Sequence, residues 1–285
     1  MEWFDRMNDA VSYIETHLTE TVRYEEAARI ACCSTFHFQR MFAYIAGVPL
    51  SEYIRRRKMS LAAVELQNGR KIIDVALAYG YESPTAFNRA FKSVHGMVPS
   101  AAKKRGVSVK SFPRITFQFS IKGDTVMEYR IETKGARRIV GVSCALDKDL
   151  EKNFAQVPKM WMKASLLGTV KKLAALQNDP ELPGILGVSF CTGDDEWRYY
   201  IAAATDKSAP GKFETREIPA ATWAIFSGEG PSQGIQELEK RIVTEWLPDS
   251  GWEYGSAPDI EVYLTPNPKH ARYEVWIPVV KKVAD

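Results

Sequence analysis

Two sets of side chains in this 285-residue chain have types and spacings that do chemistry. The first set is polar and occurs twice. Gln39 and Arg40 are matched 49 positions on by Asn88 and Arg89, and each pair falls beside an apolar helical stripe where it can face outward. An arginine fork bonds guanine O6 and N7 together, glutamine and asparagine pair with adenine N6 and N7, and a ring such as that of Phe36 meets a thymine methyl. Each good pair is worth about 1–3 kcal/mol of discrimination. The same arginines serve equally as clamps on backbone phosphate, and Phe36 equally as a helix-start aromatic in a core. The second set is acidic and aromatic. Glu261 stands two residues before Tyr263, and Glu274 two before Trp276, so on strands each carboxylate shares a face with a ring. Carboxylates among rings suit an organic cation through charge pairing and cation–π attraction. On an edge strand the same faces would meet only water.

Other chemistries find little support. Cys32, Cys33, Cys144 and Cys191 are too few for a disulfide framework and lack the paired C-x-x-C units of a zinc site, so no metal and no cofactor is expected. Four histidines, two of them His37 and His95, fall into no Ser-His-Asp order. Apolar residues at 45% and charged residues at 26% match a soluble globular chain. No apolar run approaches the roughly 18 residues of a membrane span, and Met1-Glu2-Trp3-Phe4-Asp5 lacks the start of a signal peptide. A cytoplasmic protein with no membrane partner is the expectation. The net charge of +3 is uneven: residues 1–34 carry −4, residues 35–110 carry +9, and residues 111–285 carry −2. A compact basic block of this kind is the electrostatic footprint of a polyanion binder.

The elements that must position the first set are legible in the repeat. Ala27, Ala31, Ser34, Phe38, Arg40, Phe42 and Gly47 stand opposite Ala76, Gly80, Ser83, Phe87, Arg89, Phe91 and Gly96. Ala27 and Ala76 allow a close helix crossing, Ala31 and Gly80 mark the tight turn, and Ser34 and Ser83 cap the next helix. Pro84 follows at the first helical position. Phe38 and Phe42, like Phe87 and Phe91, form an apolar stripe, and Gly47 and Gly96 end each unit. This is a helix-turn-helix, present twice. Phe4, Met7, Val11, Ile14 and Leu18 predict a first helix. Pro49 through Gln67 predicts a rod of 19 residues, or roughly 28 Å, comparable to the turn of about 34 Å in B-DNA. Two recognition helices so spaced enter successive major grooves from one side without dimerisation. Of the run Arg55-Arg56-Arg57-Lys58, at most one or two can face DNA, because successive residues wrap the helix.

Ser34-Thr35-Phe36-His37-Phe38-Gln39-Arg40-Met41-Phe42, Tyr53-Ile54-Arg55-Arg56-Arg57-Lys58-Met59, and Tyr79-Gly80-Tyr81-Glu82-Ser83 through Phe91-Lys92 resemble the DNA-binding domain of AraC/XylS-type bacterial transcription regulators. The resemblance covers about residues 5–105. It implies that Phe36, Gln39 and Arg40 in one unit, and Thr85, Asn88 and Arg89 in the other, read base edges of double-stranded DNA. Pro84-Thr85 stands where related chains carry a pair of glutamines. Contact with RNA polymerase is a further expectation of the resemblance.

Beyond Val107 the pattern alternates: Ile115, Phe117, Phe119 and Ile121 step by two, as in a strand. Further strands are expected over 184–191, 197–205, 221–227, 260–265 and 272–280, with helices over 157–177 and 233–246. A strand-helix-strand-strand order occurring twice suggests two similar halves around a cleft. The fold class expected is therefore multidomain: an all-α double helix-turn-helix domain over 1–110, then an α+β domain over 111–285. Six of the seven tryptophans, Trp161, Trp223 and Trp276 among them, lie in the second domain. Glu128-Tyr129-Arg130-Ile131-Glu132, Ile218-Pro219-Ala220-Ala221-Thr222-Trp223, Glu245-Trp246-Leu247-Pro248 and Pro258-Asp259-Ile260-Glu261-Val262-Tyr263 resemble the GyrI-like effector-binding domain. That resemblance implies a small-molecule effector, with Glu261 as the buried pocket glutamate and Trp161 as the helix-borne aromatic. Glu261, Tyr263, Glu274, Trp276, Trp161 and Trp223 are the candidate ligand contacts, for a small aromatic or cationic molecule. Two other readings stand beside a ligand-sensing regulator. One is a hydrolase that uses Glu261 or Glu274 to activate water; the other is an architectural DNA binder whose second domain contacts only protein.

Overall fold

The computed structural model describes residues 3–104, 106–117, 126–191, 197–231, 234–265 and 270–282. The chain divides into two compact units, Met1–Phe119 and Ser120–Asp285.

The first unit is helical: α1 (Trp3–Thr16), α2 (Tyr24–Ile30), α3 (Thr35–Ala46), α4 (Leu50–Gln67), α5 (Ile72–Ala78), α6 (Pro84–His95) and α7 (Pro99–Ala102). Met7, Val11 and Ile14 of α1, and Leu18 just beyond it, are buried as their spacing requires. The two helix-turn-helix units begin and end alike. Ser34 Oγ accepts from the His37 N–H at 3.2 Å and Ser83 Oγ from the Ala86 N–H at 3.5 Å. Gly47 and Gly96 close α3 and α6 in the left-handed conformation, at φ 69° and 78°. Phe38, Phe42, Phe87 and Phe91 are all fully buried. α4 has 18 residues, about 27 Å at about 1.5 Å per residue.

The turns differ from expectation. Gly80 is left-handed at φ 80°, but its counterpart is Cys32 at φ 54°, not Ala31. The 6→1 closing bonds agree, running from Tyr81 N to Ala76 O and from Cys33 N to Ala28 O. The repeat is thus 48 residues across the first helix and turn and 49 across the second helix. One extra residue in the second turn absorbs the difference.

The alternation at Ile115 and Phe117 does not make a strand. Residues 107–117 run as an extended strap along α4, and Phe119 and Ile121 lie outside the described residues. The strap is held by α4 side chains rather than by a neighbouring strand. Gln67 Nε2 donates to Val107 O (3.0 Å), Phe112 N to Ser60 Oγ (2.9 Å), Arg57 Nη1 to Phe112 O (2.6 Å), and Ile115 N to the Tyr53 hydroxyl (3.3 Å). At its end, Asn8 of α1 bonds both the N–H and the C=O of Phe117, and the Phe117 ring meets Phe42 at 5.8 Å.

In the second unit follow β1 (Tyr129–Lys134), β2 (Arg137–Ala145), α8 (Leu150–Leu166), α9 (Thr169–Leu176), β3 (Ile185–Phe190), β4 (Arg198–Ala204), β5 (Glu214–Ile218), β6 (Ala221–Gly230), α10 (Gly234–Arg241), a π-helical turn Ile242–Trp246, β7 (Trp252–Tyr254), β8 (Asp259–Tyr263) and β9 (Ala271–Lys281). The strands join in the order β1-β6-β9-β8-β3-β4-β2-β5, with β7 on β9. Each half is a strand, one or two helices and two strands: β2-α8-α9-β3-β4 and β6-α10-β8-β9. The halves meet where β8 pairs β3. α8 starts at Leu150, earlier than Val157, because Asp149 caps it (accepting from Glu151 N at 3.1 Å) and the helix carries Pro158 in its interior. Ile139 and Ile218 from one end of the sheet share a core with Trp223 and Ile225 near the other. The sheet therefore curls about that face.

Candidate functional sites

The two polar trios of the helical unit meet different fates. Thr85, Asn88 and Arg89 are exposed on α6, whose other side carries Phe87, Phe91 and Val94 into a core with Met59, Leu66, Val75 and Tyr79. Phe36, Gln39 and Arg40, expected to face bases in the same way, are 5%, 2% and 8% exposed. Every residue from Phe36 to Phe42 is buried. The Arg40 guanidinium sits over the Phe36 ring at 5.9 Å and the Tyr44 ring at 5.6 Å, with Nε 3.4 Å from the Tyr44 hydroxyl. The corresponding neighbours of Arg89 are Thr85 and Ser93, which offer no ring. Thr35–Ala46 is apolar nearly all round, the pattern of a helix covered on every side; Pro84–His95 is apolar on one face. The trio on α6 is exposed, whereas that on α3 is buried.

The run Arg55–Lys58 is structural. Arg55 and Arg56 pair with Glu52; Arg57 pairs with Glu15 at 2.7 Å; and Lys58 Nζ donates to Tyr79 O at 3.2 Å. The Glu15 carboxyl also accepts from the Tyr53 hydroxyl at 2.6 Å, and its bonds to Arg57 and Tyr53 outweigh partial burial to hold it below the ordinary carboxylate range. Burial is the largest influence on this group, and it acts in the opposite direction.

The second unit gathers a site around Glu261. This residue pairs across the sheet with Gly187 on β3 and Val275 on β9. Its Oε2 accepts from the hydroxyls of Tyr199 and Tyr263, both at 3.0 Å. Trp161 of α8 donates its indole N–H to the Tyr199 hydroxyl at 2.8 Å, and its ring meets Tyr263 edge-on at 4.9 Å. A side chain at Gly187 would displace the cluster: a Cβ there would lie 2.2 Å from the Tyr199 hydroxyl and 2.7 Å from Glu261 Oε2. Burial first, and then the Glu261 charge, push the Tyr199 phenol well above the ordinary tyrosine value. The same causes raise Tyr263, to which Glu239 of α10 adds a further upward push. Both phenols therefore remain donors at neutral pH. Glu261, Tyr263 and Trp161 are half-buried, so the cluster is not sealed.

Glu274, Trp276 and Trp223 do not join this cluster. Glu274 adjoins Val275, the partner of Glu261, and consecutive strand residues point to opposite faces. On that other face Glu274 is paired with Arg130 at 3.0 Å and accepts from the Trp276 indole at 2.8 Å. Trp276 and Trp223 stand 6.0 Å apart in the core. Three residues that belong to the Glu261 site, Tyr199, Gly187 and Glu239, were not candidates from sequence. Tyr199 and Gly187 carry a faint signal, an aromatic and a glycine set diagonally on adjacent strands, where Gly187 pairs with Ile201 and Tyr199 with Ser189. Glu239 carries none, because charge on a surface-spaced helix reads as solvated.

With the geometry in place, comparison with known proteins is decisive for the second unit. Residues 127–280, more than half the chain, match the family described as GyrI-like small molecule binding domain. The chain belongs to this GyrI-like family. Residues 27–105 match a helix-turn-helix domain family. The chain is 26% identical over 96% of its length to the right origin-binding protein of Escherichia coli (strain K12), covering 97% of that protein. The figures are the same for the transcriptional regulator Rob of Salmonella typhimurium. The helical region is 38% identical over 95 residues to the transcriptional activator AarP of Providencia stuartii, covering 33% of this chain and 70% of that one. This GyrI-like chain is a transcriptional regulator of AraC type with a small-molecule-binding domain. Among the described residues no helix is long and apolar enough to cross a membrane.

Proposed function

We propose that the chain binds promoter DNA and changes that binding, or its contact with RNA polymerase, when a small organic cation with aromatic character occupies the Glu261 site. The observation that carries the ligand reading is one carboxylate oxygen held by two phenols, beside an indole, with a second carboxylate, Glu239, within electrostatic reach. Such a site attracts positive charge through Glu261 and stacks rings on Trp161 and Tyr263. On the DNA side, Thr85, Asn88 and Arg89 are the base readers that α6 presents. Ligand control follows if the ligand binds the DNA-competent and incompetent states unequally.

Glu261→Gln keeps the shape and removes the charge. In a titration followed by tryptophan fluorescence, it is expected to weaken an aromatic quaternary ammonium at least tenfold and to leave a neutral isostere of that cation within about threefold. Equal losses for both probes would remove charge pairing from the account.

A further inference from the structure

We propose that Lys71, Lys103 and Lys104 form a phosphate site that grips the DNA backbone outside the segment facing α6. This rests on the DNA-binding reading above and extends its footprint. Part of the basic excess of residues 35–110 is paired inside the fold: Arg55 and Arg56 share Glu52, and Arg57 pairs with Glu15. Arg70 is paired with Glu65, but among the described residues Lys71, Lys103 and Lys104 have no carboxylate within ion-pair distance. Lys103 Nζ donates to Arg70 O at 3.2 Å, which brings together two segments 33 residues apart. Beside them opens a cleft of about 460 Å³ lined by Gln67, Lys103, Lys104, Gly106, Val107 and Ser108.

Position gives the ligand. Lys71 is the residue before α5, the first helix of the second helix-turn-helix unit, and in this motif the first helix crosses the backbone while the second enters the groove. Cations at the start of that helix therefore meet a phosphate rather than a base. A lysine without a carboxylate keeps its charge available for counterion release, and an open cleft admits a phosphate carried on a strand.

The test uses the full chain and a duplex it selects from a random pool, prepared with flanks trimmed or extended by about one helical turn, roughly 10 base pairs. Wild type is expected to bind the extended duplex more tightly. The Lys103→Ala/Lys104→Ala variant is expected to lose that gain, about tenfold at 0.1 M salt, to lower the slope of log K against log salt by about 1–2, and to keep its sequence preference. Lys71→Ala, alone, is expected to lower the slope by about 1. A double variant with the wild-type melting temperature, slope and flank gain would overturn the site. So would inorganic phosphate, at fixed ionic strength, shifting amide signals around the cleft while the variant's slope stays that of wild type; the source would then be a free phosphate. If wild type recovers no duplex from the pool, the DNA-binding reading itself falls.

Discussion

Cys32 holds a backbone conformation, φ 54°, that its partner position fills with Gly80. Left-handed geometry costs a residue with a Cβ about 1–2 kcal/mol, against about 0.5–1 kcal/mol of extra chain entropy that glycine gives up on folding. Cys32→Gly is therefore expected to stabilise the chain by about 0.5–1 kcal/mol, seen as a rise of a few degrees in the melting midpoint. A fall would mean that the thiol has a compensating role. The sequence hid this because the glycine is missing where the first turn needs it, so the alanine one place earlier reads as the turn. At the Glu261 site the acid and two of its aromatic companions were legible from period and resemblance. Tyr199 was not, because a phenol reaching across from β4 obeys register, and register appears only once strands are paired. Glu274 was misplaced for the converse reason: two acids that look alike in their own strands fall on opposite faces.

At the scale of elements, α3 and α6 share caps and apolar stripes but differ in what surrounds the arginine. Arg89→Ala is expected to cost about 1–3 kcal/mol on a selected duplex and to relax preference at one base pair, with little change in melting. Arg40→Ala is expected to act first on stability, by about 0.5–2 kcal/mol through lost stacking on Phe36 and Tyr44. Binding and melting data on both variants separate the two roles, and the reverse pattern would return base readout to α3. The helices themselves, their caps and the rod α4 could be read in advance, since those signals are local.

His95 joins α6 to both α4 and the strap. Its Nε2 donates to Met59 O at 3.0 Å and its Nδ1 accepts from the Lys110 N–H at 3.2 Å, so the ring must be neutral. Burial, the largest influence, together with the nearby Lys110 charge, outweighs the Met59 bond and holds the imidazole below its ordinary value of about 6.5. The unfolded chain therefore takes up this proton first. The stability that neutral His95 contributes is complete above about pH 6.5 and is lost as pH falls through the folded value. Urea midpoints are expected to drop between about pH 7 and 5.5, and to drop less in His95→Gln. An identical pH profile in the variant would assign the effect to other groups.

Across the whole chain, the paired helices and the second strand-helix-strand-strand run were readable, and the first run was read without its true opening strand, β2. What stayed hidden was long-range. β1, β2 and β5 were missed because their polar and charged residues, such as Arg137 and Arg138 or Glu214 and Glu217, mask the period of two. The alternation at Ile115 and Phe117 reads as a strand because an extended chain lying on a helix alternates just as a strand does. A short Gly-Ser insertion between Ser111 and Phe112 breaks the run of bonds from Val107 to Phe117 and is expected to lower the urea midpoint of the helical unit. The same insertion placed after Phe117 is expected to leave it unchanged; equal effects would make the strap passive.

The strap also fixes where the thread leaves. Phe117 is bound by Asn8, so the exit from the helical unit lies against the helix that opens it. Beginning and end are knotted together, and neither can fray without pulling on the other. A unit whose loose ends are spent on each other should open as one piece rather than peel from a tip.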